Sequence, residues 1–91
     1  MSAEETDVDL REEIREIVAA ILEVDVGRIG PASHFRDDLE ADSLQGIEIL
    51  SALERRFHIT IEQSLLAEMW DVQSTYEVVM ALMKRAQPHG T

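Results

Sequence analysis

Three consecutive residues, Asp42-Ser43-Leu44, have the types and order to hold a covalently attached group. They end an acidic loop, Asp37-Asp38-Leu39-Glu40-Ala41, and open a stretch of helical apolar spacing. Asp42 suits the N-cap of that helix, because its carboxylate can accept backbone N–H bonds from the first turn. Ser43 then falls at the first helical position, beside the positive end of the helix dipole. A phosphate ester on its hydroxyl meets backbone donors there. Other site chemistries find no support. His34, His58 and His89 lack metal-ligand spacing and a nucleophile–base arrangement. The acids form no EF-hand loop.

The flanking elements must position Ser43. Over residues 8–24, Leu10, Ile14, Ile17, Val18, Ile21 and Leu22 recur at helical spacing, with Asp7 as a plausible cap and residues 1–6 as a loose tail. Residues 25–42 contain Gly27, Gly30 and Pro31, which stop a helix. Val26, Ile29, Phe35 and Leu39 read as anchors that hold this long loop over the core. The second helix spans residues 43–56 and carries two stripes. Ile49, Leu50, Leu53 and Phe57 form a core face, while Leu44, Ile47, Glu48 and Ser51 fall roughly opposite. The second stripe is either covered by the loop or offered to a partner.

A short β-branched stretch, residues 58–61, ends that helix. Residues 62–70 suggest a short helix, with Leu65, Leu66, Met69 and Trp70 as core or cavity lining. Asp71 can cap a last helix to about residue 85, with Val72, Tyr76, Val79, Met80 and Met83 at helical spacing. Pro88 and Gly90 mark a loose tail over residues 87–91. The fold class is all-α: three main helices plus a short one, with an anchored loop between the first two, in one domain.

Composition limits the partners. The 91 residues carry 19 acids against 8 bases, a formal net charge of −11, which repels nucleic acid and anionic membranes and favours basic protein surfaces. There is no cysteine, so any thiol chemistry must come from an added group. The acidic N-terminus is unlike a signal peptide, and no apolar run approaches membrane-spanning length. The expected compartment is the cytoplasm, and the expected state a monomer.

Taken together, the element order and motifs resemble acyl carrier proteins over residues 8–83. The matching residues are Phe35 and Asp38-Leu39, then Ala41-Asp42-Ser43-Leu44, Ile47-Glu48-Ile49, Ala52-Leu53-Glu54, Phe57, Ile61 and Val72-Gln73. The resemblance implies a 4′-phosphopantetheine arm on Ser43, moved from coenzyme A by a phosphopantetheinyl transferase that also recognises Asp42. The arm would carry acyl thioesters for fatty-acid, lipid or polyketide-like synthesis, and the carrier itself would be non-catalytic. Leu44, Ile47 and Glu48 match the family's docking face. Asp37, Asp38 and Glu40 are candidate contacts for acyl-loading and acyl-processing enzymes with basic docking surfaces.

Four departures from the family pattern suggest a specialised member. Glu40 stands where fatty-acid carriers usually have glycine. Gln45-Gly46 replaces a polar or acidic pair, and Gly46 weakens the first turn by about 1 kcal/mol relative to alanine. Ser51 replaces an apolar docking residue, and Arg55-Arg56 stands where acids are common. Two alternatives stay open on sequence: an aminoacyl or peptidyl carrier, and an unmodified acidic helical adaptor.

Overall fold

In the computed structural model the described backbone runs over residues 3–86, and the described side chains over residues 9–85. Three α-helices, α1 (Ala3–Leu22), α2 (Ser43–Phe57) and α3 (Val72–Ala86), are joined by segments that contain two 3₁₀ turns, Val26–Arg28 and Gln63–Glu68. No strand occurs among the described residues.

α1 begins earlier than its apolar period suggests. The backbone of residues 3–6, expected to be a loose tail, is helical, and Asp7 lies inside the helix instead of capping it. Ala3, Glu4 and Glu5 are good helix formers, and acids near a helix start favour the dipole. Neither signal produces an apolar stripe, so periodicity alone misses this turn. At its other end α1 stops at Leu22, with Glu23 in the left-handed region at φ 58° and the Val24 amide donating to the Ala19 carbonyl. That reverse bond satisfies one of the helix's terminal carbonyls. Residues 1–2 and 87–91 lie outside the described residues.

α1 packs against both α2 and α3, while the Gln63–Glu68 turn bridges α2 to α3. Leu10, Ile14 and Val18 from α1 meet Ile49, Leu50 and Leu53 from α2, and Val72, Tyr76 and Val79 from α3, in one buried cluster. The expected loop anchors join them: Ile29 and Phe35 are buried, and Val26 and Leu39 pack partly buried against the cluster. Polar ties cross the same seams. Arg11 lies 4.1 Å from the centre of the Tyr76 ring and donates to Gln73 Oε1 at 3.1 Å, linking α1 to α3. Arg56 reaches Glu13 at 2.6 Å and links α2 to α1. Its partners are 58% and 35% exposed, so the bridge contributes at most about 1 kcal/mol.

Candidate functional site

Ser43 is the first residue of α2, and its side chain is exposed. Asp42 is the N-cap as expected, with extended backbone and its carboxylate accepting from the Gln45 amide at 2.8 Å. Gln45 returns the bond, its Oε1 accepting from the Asp42 amide at 3.0 Å. The sequence reading treated Gln45 only as a departure, yet it completes a capping box whose Asp-x-x-Gln spacing was legible. The Gly46 amide donates to the Asp42 carbonyl. The first turn therefore leaves the Ser43 and Leu44 amides, next to the Ser43 hydroxyl, without a helical acceptor.

The loop before Ser43 is folded on itself. Asp38 Oδ2 accepts from the His34 amide at 2.8 Å, and His34 Nδ1 accepts from the Arg36 and Asp37 amides at 3.3 and 3.1 Å. The amides of Asp38 and Leu39 both reach the His34 carbonyl, and that of Ala41 reaches the Phe35 carbonyl. His34 thus has a structural role that sequence reading missed. Glu40 sits at φ 62°. That left-handed backbone costs a residue with a Cβ about 1–2 kcal/mol and is one that glycine adopts without steric cost.

Two bonds pin the loop to the far side of the site. The Phe35 amide donates to the Trp70 carbonyl at 2.7 Å, and the Gln73 amide to the Pro31 carbonyl at 3.2 Å. Between these walls lies a cavity of about 410 Å³, lined by the Ser43 region together with Phe35, Ile49, Leu66, Met69 and Trp70. Arg36 and Asp42 also line it, and Asp37, Asp38 and Glu40 follow on the exposed loop outside its lining.

The two stripes of α2 separate as expected. Ile49, Leu50 and Leu53 are buried, whereas Leu44 is 64% and Ile47 37% exposed, with Glu48 exposed beside them. Asp37, Asp38 and Glu40 are likewise exposed, on the loop that precedes the stripe. The four charges of α2, Glu48, Glu54, Arg55 and Arg56, go to different places. Arg56 turns to Glu13, and Glu54 Oε2 accepts from the Ile61 amide at 2.8 Å. Glu48 and the exposed Arg55 remain on the stripe with Leu44, Ile47 and Ser51. Trp70 does line the cavity but is 45% exposed, not a core residue.

The family model for the phosphopantetheine attachment site matches residues 12–79. The chain belongs to that family. It is 44% identical over 73 residues to polyketide-8 synthase acyl carrier protein 1 of Streptomyces avermitilis, covering 80% of this chain and 87% of the relative. Against the acyl carrier protein of Treponema denticola it is 37% identical over 76 residues, covering 84% and 97%. The solution structure of the apo doublet acyl carrier protein from prodigiosin biosynthesis shares the fold, with a TM-score of 0.74 at 21% identity. That match covers 94% of this chain, which spans 43% of the doublet's length.

The phosphopantetheine carrier therefore has an acyl-carrier role in polyketide or fatty-acid biosynthesis, with 4′-phosphopantetheine as its covalent cofactor. Carriers of this family are generally non-catalytic, and they interact with phosphopantetheinyl transferases and biosynthetic enzymes. No helix among the described residues is long and apolar enough to cross a membrane.

Proposed function

We propose that Ser43 Oγ is the attachment atom, and that the chain over residues 1–91 works as a single, monomeric, non-catalytic carrier domain in the cytoplasm, where coenzyme A supplies the arm. The observation that carries this reading is the exposed Ser43 hydroxyl on a capped helix start, at the mouth of a mostly apolar cavity. The residues present fit a phosphodiester. Two amides without helical acceptors and the helix dipole favour the anion, and Arg36 offsets part of the surrounding acidity. When bound, the arm supplies a terminal thiol that holds acyl groups as thioesters. The chain contributes one bond, from Ser43 Oγ to phosphorus with loss of the hydroxyl proton, while a P–O bond of the coenzyme A diphosphate breaks and adenosine 3′,5′-bisphosphate leaves. Asp42 holds the helix start rigid and presents a carboxylate to the transferase. Incubation with coenzyme A and a broad-specificity transferase should add the mass of one arm to the wild type and none to Ser43→Ala. A mass gain in the variant would move the attachment elsewhere.

The proposed docking face is Leu44, Ile47 and Glu48, extended by the acidic run Asp37, Asp38 and Glu40. Its apolar pair is exposed, Ile47 at the edge of the cavity, and complementary charge governs encounter and rejection of wrong partners. Arg55 on the same stripe opposes surfaces evolved to meet acids. A general malonyl transferase or ketosynthase should therefore turn this carrier over more slowly than an ordinary one, and Arg55→Glu should recover part of the difference. Equal turnover of both carriers would defeat this specialisation.

A further inference from the structure

A second cleft, of about 320 Å³, lies between the Gln63–Glu68 turn and α3, with Leu65, Val78, Ala81 and Leu82 as its apolar lining. The two clefts have one lining residue in common, Trp70. The 3₁₀ turn divides between them, Leu66 and Ala67 bordering the cleft at Ser43, Leu65 and Glu68 the other. We propose that the Trp70 side chain sets the length of cargo this carrier shelters, by closing the cleft at Ser43 off from the second cleft. The occupant is an apolar chain tethered at Ser43. The proposal thus rests on the attachment reading above.

Three observations support a wall made of this side chain. The peptide at Trp70 is fixed independently of the indole, since its carbonyl accepts from the Phe35 amide and its amide donates to Ser74 Oγ. Removing the indole therefore leaves these bonds in place. Trp70 is half exposed and lines both clefts, so it borders them instead of filling the core. Beyond it Leu65, Val78, Ala81 and Leu82 offer an aliphatic surface for continuation of a neutral hydrocarbon chain, with Ser74, Glu68, Glu77 and Arg85 as the polar and charged members of the lining. Each methylene moved from water onto such a wall favours the sheltered state about fourfold.

The test loads the wild type, Trp70→Ala and Trp70→Phe with saturated acyl groups of increasing length. Intact mass confirms loading, and thioester cleavage by hydroxylamine measures shelter. In the wild type, protection should rise with length and then level off. Emission from Trp70, the single tryptophan, should change at the length where protection levels off. In Trp70→Ala the rise should continue for longer chains at about fourfold per methylene. Trp70→Phe should level off in between, and it carries the test if the alanine variant fails to fold. Levelling at the same length in wild type and a folded variant would overturn the proposal, as would length-independent protection in the wild type. Failure of the wild type to gain mass would instead overturn the attachment reading.

Discussion

The starts of α2 and α3 use the same local physics for opposite ends. Asp42 caps one and Asp71 the other, and in both the third helical residue answers the cap: Gln45 in α2, Ser74 in α3. The difference is burial. The first residue of α3, Val72, is buried in the core, and the Ser74 hydroxyl is consumed by the Trp70 and Asp71 amides and by Asp71 Oδ1 at 2.7 Å. The first residue of α2 is an exposed serine whose hydroxyl is not needed to hold the cap together. One capped turn therefore closes the fold, while the other presents a hydroxyl to solvent.

Exchanging the serines gives the largest contrast. Ser43→Ala should abolish loading and leave the thermal midpoint nearly unmoved. Ser74→Ala should load normally but lose about 1–3 kcal/mol of stability, because two amides lose their acceptor. If both substitutions cost similar stability, the two turns are not different in kind. Removing the caps comes next. Asp71→Ala should cost about 2 kcal/mol and the exposed Asp42→Ala about 1 kcal/mol by chemical denaturation, the buried turn being the more sensitive. The reverse order would show that exposure does not rank them.

The smallest effect sharpens the α2 side alone. Glu40 needs a backbone that favours glycine, whereas Gly46 sits inside a helix where an added Cβ meets nothing within 4 Å. Glu40→Gly and Gly46→Ala should each raise stability, by at most about 1 kcal/mol, and should add nearly independently if the sites do not communicate. A loss of stability in either would mean that the present residue makes a contact worth more than its backbone cost.

What was legible in the sequence was what repeats or caps. The apolar spacing gave the three helices and the buried face of α2, and Asp42 marked the start of α2 because a short carboxylate before an apolar run has few other uses. The exposed pair Leu44 and Ile47 followed from their angle to Ile49 and Leu53. What was not legible depends on geometry between segments. Nothing local announces that His34 will accept from two amides of its own loop, that Arg56 will turn to Glu13, or that Glu54 will hold the Ile61 amide. Trp70 reads as core or cavity lining, and only the packing between segments decides for the cavity and for an indole left half exposed.

The bond from the Phe35 amide to the Trp70 carbonyl spans 35 residues of chain, the difference between the two positions. One wall of the Ser43 cavity is thereby built from the loop and the other from the approach to α3, so neither can assemble until the last helix has docked. The Phe35 amide proton should then exchange with solvent more slowly than those of His34, Arg36 and Asp37, whose bonds are exposed. An incompletely folded or truncated copy would offer the serine on a slack strand without its receiving cavity.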